Sequence, residues 1–96
     1  DLGFCDKGSA ASFLRNKDMT VQGDFPHNTS GGQLSAGQAG AAGGFIGMVE
    51  AIRQVTGRAG PTQVAGATSA LVSGFGMINY DRGLCSGAAV IKGEAR

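Results

Sequence analysis

The feature that most constrains the fold is a run of small residues in the first half of the chain. Within residues 27–44, HNTSGGQLSAGQAGAAGG, ten of eighteen positions are glycine or alanine. That is too much glycine for an ordinary surface helix, and the run lacks the serine repetition of a flexible linker. Because glycine has no Cβ, another backbone or a ligand can approach it closely. We therefore expect close packing against this run.

A helix is predicted directly after the small residues. Apolar side chains recur there at helical spacing, at Phe45, Ile46, Val49, Ile52 and Val55. Gly57 stands where such a helix would stop, so we predict a helix from about Ala39 to Thr56. Ser35 and Gln38 also have the spacing of a capping box, an alternative that would explain Gln38 by local structure alone.

The last third of the chain predicts an antiparallel hairpin. Apolar residues between Val64 and Phe75 indicate a largely buried strand, and residues 83–91, GLCSGAAVI, indicate a second one. The sequence Asn-Tyr-Asp at 79–81 has good turn chemistry. Cys85 would then lie near the start of the second strand.

These patterns divide residues 1–96 into three parts of one α/β unit. Residues 1–26 predict loops and one short helix, 27–57 a glycine-rich turn and a buried helix, and 63–92 a terminal hairpin. The chain has no Trp, one Tyr and five Phe, so its core should be thin. Since it starts without a methionine, we expect the middle of a longer chain or a processed product.

Charge and hydropathy exclude several classes of protein. Eight basic and seven acidic side chains give a net charge of +1, without the basic run expected of a nucleic-acid binder. No apolar stretch reaches the 18 residues of a membrane span, and no secretory leader is visible. A cytoplasmic protein is the default expectation.

The two cysteines and the single histidine do not form a metal-binding pattern. Cys5 and Cys85 are 80 positions apart, and His27 cannot complete a usual zinc set with them. We therefore expect no bound metal. A Cys5–Cys85 disulfide would require an oxidising compartment, of which the sequence gives no sign.

Three ordered motifs resemble the C-terminal signature of the thiolases. Residues 28–32, NTSGG, are similar to the family's N-x-x-G-G element. Residues 37–39, GQA, stand where the family has G-H-P, and residues 85–87, CSG, are similar to its C-x-G element. The opening residues 2–5, LGFC, resemble the branch that contains the thiolase domain of sterol carrier protein X.

The resemblance covers nearly the whole chain and therefore also implies a fold. It implies the C-terminal part of an α/β thiolase fold, in which two halves form five layers in the order αβαβα. A buried glycine-rich helix followed by a closing antiparallel β-hairpin is the arrangement expected of these 96 residues.

By the same resemblance, Cys85 is the second catalytic cysteine of a thiolase. It would take a proton from the coenzyme A thiol or from the α-carbon of the acceptor, and return it in the reverse direction. A cysteine does this as its thiolate, which requires neighbouring donors or positive charge. The alternative is an inert buried cysteine in a strand. The acylated nucleophile belongs to the N-terminal half of the family, so Cys5 is expected to be a small buried apolar residue.

Gln38 departs from the family pattern, where a histidine stands. A glutamine amide can donate a hydrogen bond to a thioester oxyanion but cannot serve as a base. His27 is a candidate for the missing base; the alternative is a histidine that caps a loop.

Three further residues are expected to contact substrate, namely Asn28, Gly37 and Gly87. Asn28 would either order the glycine turn or position water and the substrate carbonyl. Gly37 and Gly87 belong to the G-H-P-like and C-x-G-like elements.

The resemblance implies an acyl-CoA C-acyltransferase that performs Claisen cleavage or condensation of an unusual, branched or aromatic β-ketoacyl-CoA. Coenzyme A is a substrate, and no covalent cofactor is expected. The partners implied are the remaining thiolase half or a second subunit, a homo-oligomer and a small protein with an OB-fold and zinc ribbon. Two alternatives stay open, a retro-aldol lyase for β-hydroxyacyl-CoA and a non-catalytic acyl-CoA or lipid-binding subunit.

Overall fold

The computed structural model describes residues 2–94, without the side chains of residues 77 and 78. Its helices are α1 (Ala10–Arg15), α2 (Gly32–Ala36) and α3 (Ile46–Val55), with short 3₁₀ helices at Gly40–Phe45 and Gly60–Thr62. Its strands are β1 (Ser69–Asn79) and β2 (Arg82–Lys92).

The helix expected from Ala39 to Thr56 is present as two consecutive segments. Residues 40–45 form a 3₁₀ helix, and the α-helical part begins only at Ile46. Gly40, with a φ of 57°, has a left-handed backbone that an α-helix cannot include. Most of the small-residue segment is exposed, but Gly43 is buried. A Cβ at Gly43 would lie 3.2 Å from Nε2 of Gln33 and 3.3 Å from Cγ of Gln38, so other side chains pack closely against this glycine.

The capping-box alternative for Gln38 is wrong. Ser35 lies inside α2 near its C-terminal end, so it cannot act as an N-cap. The 3₁₀ helix that follows Gln38 begins without a side-chain capping hydrogen bond. Gln38 therefore belongs to the exposed connection between α2 and that 3₁₀ helix.

The closing antiparallel hairpin is confirmed. β1 and β2 pair in a continuous antiparallel register from Ser69 opposite Lys92 to Asn79 opposite Arg82. Tyr80 and Asp81 form the turn, with φ values of 50° and 60°, as a two-residue type I′ turn requires. β1 begins at Ser69, so Val64 lies in a loop before the strand rather than in it.

The two faces of the hairpin differ in burial. The face that packs against α3 carries half-buried side chains at Ala70, Val72, Ala89 and Ile91. The opposite face exposes large apolar side chains at Leu71, Phe75, Leu84 and Val90. The expectation of a largely buried first strand is therefore wrong for this chain, because residues 2–94 provide no layer over the outer face.

The core lies between α3 and the segment that follows it. Its buried apolar residues are Ala51, Val55 and Ala59, a set as thin as the composition predicts. The same side of α3 also buries two polar side chains, Glu50 and Gln54. In the part of the chain that the structure describes, no helix has the length and apolar character needed to cross a membrane.

A separate aromatic cluster holds residues 2–26 together. The rings of Phe4 and Phe13 both lie edge-on to the ring of Phe25. Their centroids are 5.1 and 5.4 Å, respectively, from the centroid of the Phe25 ring. The Lys17 ammonium lies 5.3 Å from the centre of the Phe13 ring. Cys5 is half-buried beside Phe4, less buried than expected, and both cysteines are free thiols.

Candidate functional site

The N-x-x-G-G-like segment forms a tight turn that ends at the start of α2. The Gly31 amide donates a 2.8 Å hydrogen bond to the Asn28 carbonyl. Asn28 has a φ of 50°, a left-handed conformation that asparagine tolerates better than most residues. Gly31 has a φ of 83°, and a Cβ there would overlap the Ser35 side chain. The backbone of this turn therefore requires glycine at position 31.

A polar network under α3 anchors the turn through Thr29. The Thr29 hydroxyl donates a 2.8 Å hydrogen bond to Oε1 of Glu50 and accepts one of 3.1 Å from Nε2 of Gln54. Glu50 and Gln54 are 7% and 5% exposed, respectively, and Gln54 also donates to Oε1 of Glu50 at 2.9 Å. The hydroxyl thus uses its donor and an acceptor lone pair in one buried site.

The same network extends to the loop after α3. Gln54 donates from Nε2 to the Thr62 carbonyl at 2.8 Å, and its Oε1 accepts a 2.8 Å bond from the Val64 amide. Gln63 donates to the Gln54 carbonyl and side-chain oxygens at 3.0 and 3.1 Å. No buried side-chain nitrogen or oxygen among the described residues lacks a hydrogen-bond partner. A fully satisfied buried network of this kind fixes the position of its members.

A cavity of about 420 Å³ lies beside the turn and contains two of the predicted site residues. His27 and Asn28 line it, and Met19, Val21, Gly31 and Pro61 complete much of its wall. Both predicted residues are exposed. The main chain of His27 is held by a 3.2 Å hydrogen bond from its amide to the Met19 carbonyl. The structure therefore brings His27 and Asn28 to one cavity.

Gln38 and Gly37 line a different cavity, of about 370 Å³. Its wall also includes Ala42, Gly43 and Ile46. Gly37 ends α2 with a φ of 104°, a conformation that side chains rarely adopt. Gln38 and His27 thus line separate cavities within this chain.

Cys85 lies on β2, and its side chain is exposed. Alternation along the strand and the cross-strand register place Gly76, Gly83 and Gly87 around it on the side of the sheet that faces α3. A Cβ at any of these three glycines would meet nothing within 4 Å. The Cys85 thiol is therefore flanked by three glycines on this face. It lines neither of the two cavities.

Two exposed carboxylates shape the loop beside the first cavity. The pKa of Asp18 is lowered mainly because the Thr20 amide donates a hydrogen bond to its carboxylate. The pKa of Asp24 is lowered mainly by a hydrogen bond from the Asp18 amide, with a smaller contribution from Lys17. Both bonds favour the ionised form. Within residues 2–94, no group of three His, Cys, Asp or Glu side chains is arranged to hold a metal ion.

Comparison with known families decides the assignment. A family model described as thiolase C-terminal domain-like matches residues 1–85, which include the turn, both cavities and Cys85. The chain belongs to the thiolase C-terminal domain family.

Three relatives span different activities within this thiolase family. An acetyl-CoA acetyltransferase of Methanothermobacter thermautotrophicus is 34% identical over 76 residues, 79% of this chain and 20% of that protein. A 17-hydroxy-3-oxo-4-pregnene-20-carboxyl-CoA lyase of Mycobacterium tuberculosis is 41% identical over 73 residues, 76% of this chain and 18% of its own length. Human sterol carrier protein 2 is 37% identical over 76 residues, 79% of this chain and 14% of that protein.

These relatives confirm the thiolase resemblance and the branch that contains sterol carrier protein. The chain spans a fifth or less of the length of each of them. No solved structure matches it significantly.

The sequence patterns missed Glu50 and Gln54 of this thiolase segment. Both lie on α3 four residues apart, next to the buried Ala51 and Val55. Polar residues at this spacing, adjacent in sequence to small apolar ones, are a weak sign of a buried polar pair. Their partner Thr29 is 21 and 25 positions away, a separation that helical periodicity cannot reveal.

Proposed function

We propose that this chain is part of a thiolase-like acyl-CoA C-acyltransferase, which cleaves or forms a β-ketoacyl-CoA with coenzyme A as co-substrate. The observation that carries the proposal is the exposed Cys85 on a glycine-lined strand surface, within the C-x-G-like element of a thiolase-family chain. A thiol that transfers protons to a substrate must be open to that substrate, and Cys85 is exposed here.

In the cleavage direction, the nucleophile of the remaining thiolase half attacks the β-carbonyl and becomes acylated, the Cα–Cβ bond breaks, and the electron pair stays on the α-carbon, to which Cys85 gives its proton. Cys85, now a thiolate, takes the proton of the incoming coenzyme A thiol, whose sulfur displaces the acyl group from the nucleophile. Gln38 donates its amide N–H to the thioester oxygen that gains negative charge. Asn28 orients the substrate carbonyl from the first cavity, His27 in the same cavity is the candidate for the missing base, and the Gly37 and Gly87 backbones leave room for the thioester.

A retro-aldol lyase is the second candidate. It is favoured by the 41% identity to a steroid-CoA lyase and by Gln38, which cannot act as the base that the usual histidine provides. In that reaction a base removes the proton of a β-hydroxyl group, the Cα–Cβ bond breaks and a ketone leaves. The remaining thioester enolate is then protonated at carbon, and no free coenzyme A is consumed.

The partners that we propose follow the same family assignment. Acyl-CoA and coenzyme A are the small-molecule partners, and the unusual Gln38 suggests a branched or aromatic acyl group. The rest of the active site comes from the remaining thiolase half or a second subunit, in a homo-oligomer that also binds a small protein with an OB-fold and zinc ribbon.

The test compares two substrates in the complete protein and its Cys85→Ala variant, with Cys5→Ala as the control. An acyltransferase converts β-ketoacyl-CoA plus coenzyme A into two acyl-CoA products, and only Cys85→Ala abolishes this. A lyase releases a ketone from β-hydroxyacyl-CoA without added coenzyme A, and tolerates Cys85→Ala. Binding of acyl-CoA without turnover of either substrate would contradict both proposals and indicate a non-catalytic subunit.

A further inference from the structure

We infer that Glu50 and Gln54 are positioning residues that fix the Asn28 turn through the hydroxyl of Thr29. The inference rests on the proposed function in one respect, because it takes Asn28 as a substrate-orienting residue. Its structural part, the anchoring of the turn, stands on the hydrogen bonds alone.

α3 provides a fixed base for the turn. Glu50 and Gln54 are adjacent on one face of α3, and both are more than nine-tenths buried. Arg53 pairs with Oε2 of Glu50 at 3.2 Å and donates to the Arg58 and Ala59 carbonyls. The carboxylate is therefore held by Arg53 through the oxygen that Thr29 does not use.

The Thr29 side chain is held in place by two hydrogen bonds. Its hydroxyl is bound from two directions, as a donor to Glu50 and as an acceptor from Gln54. Gln54 is held in turn by the Thr62 carbonyl and the Val64 amide. Moving Thr29 would break its hydrogen bonds to both of these buried side chains.

Thr29 is connected to the first cavity through its neighbour Asn28. Asn28 precedes Thr29 directly and keeps a left-handed backbone, closed by the bond from the Gly31 amide to its carbonyl. Because Asn28 lines the cavity with His27 and is directly bonded to Thr29, the anchor at Thr29 sets the position of Asn28 in the cavity wall.

The test uses three threonine variants in the complete protein. Thr29→Val keeps the shape of the side chain but removes the hydroxyl, whereas Thr29→Ser keeps the hydroxyl. Thr56→Val is the matched control, because the Thr56 hydroxyl bonds only to carbonyls of α3 itself. Amide hydrogen exchange at Gly31 is measured together with kcat and KM.

We expect Thr29→Val to speed exchange of the Gly31 amide and to lower kcat on the order of ten- to a hundred-fold, with a smaller change in KM. The reason is that a misoriented substrate still binds through its coenzyme A portion. Thr29→Ser should restore both values, and Thr56→Val should change neither.

Equal exchange rates in Thr29→Val and Thr56→Val would overturn the positioning inference. If the unaltered protein turns over neither substrate, the proposed function fails, and the exchange measurement still decides whether Thr29 anchors the turn. Faster exchange in Thr29→Val with an unchanged kcat would also overturn the inference, since the turn would then be anchored without serving the reaction.

Discussion

Gly76 lies directly opposite Cys85 across the two strands of the hairpin. Residues paired in this way have Cβ positions about 4.5–5.5 Å apart, so a side chain at position 76 would stand beside the thiol. Because glycine has no side chain, residue 76 itself does not cover the Cys85 sulfur. The identity of residue 76 should therefore control access to Cys85 without touching the cysteine itself.

Replacing Gly76 by valine should slow alkylation of Cys85 several-fold. A Cβ at this position meets no other atom within 4 Å, so the strand can accept the larger side chain. Ser73→Val is the matched control, because Ser73 is on the same strand but its side chain points to the opposite face. The rate is measured by mass spectrometry of the Cys85 peptide. Equal slowing by both variants would contradict the assigned face of Cys85.

A second prediction concerns the base of the hairpin, where Gly93 follows β2. A Cβ at Gly93 would overlap the carbonyl oxygen of Val55 at the end of α3. Gly93→Ala should therefore lower the free energy of unfolding by about 1–3 kcal/mol, as overpacking does. Gly74→Ala, at an open strand position, should have a much smaller effect. Thermal unfolding of the two variants measures the difference in stability. Similar melting temperatures would show that Gly93 does not pack closely against the end of α3.

A third prediction is a pH dependence of the loop beside the first cavity. The hydrogen bond from the Thr20 amide lowers the pKa of Asp18, so this bond stabilises the loop above the ordinary carboxyl pKa. The stabilisation is lost as the pH falls through the lowered pKa, below about pH 4. Amide exchange at Thr20, corrected for its intrinsic pH dependence, should lose its protection in that range.

Asp18→Asn is the matched variant for this measurement. Its side-chain oxygen still accepts the Thr20 bond but does not titrate, so protection at Thr20 should become independent of pH. The Asp18 amide, which donates to Asp24, should keep its own acid sensitivity in the variant. Retention of the pH dependence at Thr20 in Asp18→Asn would argue against this assignment.

Local patterns were sufficient for the helix and the hairpin. The apolar spacing before Val55 and the turn residues Tyr80 and Asp81 act between near neighbours, and these are the contacts that a sequence pattern can express. The break at Gly40 was not predictable in the same way, since glycine permits both the helical and the left-handed backbone.

Burial and site assembly could not be predicted from the same patterns. An apolar strand indicates a sheet, but which of its faces is covered depends on the layers that pack on it, as Phe75 shows with 73% of its surface exposed. The sequence motifs named Asn28, Gln38 and Cys85 as site residues, and their roles stay predictions. Their distribution over two cavities and a strand surface depends on how distant segments pack.

The two turn residues of the hairpin determine a property of a cysteine that they do not contact. Tyr80 and Asp81 close the strands with a loop of two residues. This loop sets the cross-strand register, and the register fixes the face of the sheet on which each residue of β2 lies. Adding or deleting one residue in β2 between the turn and Cys85 would move the Cys85 side chain to the other face of the sheet. The thiol would then lie on the outer face beside Phe75, where the same chemical group would no longer face the side of α3.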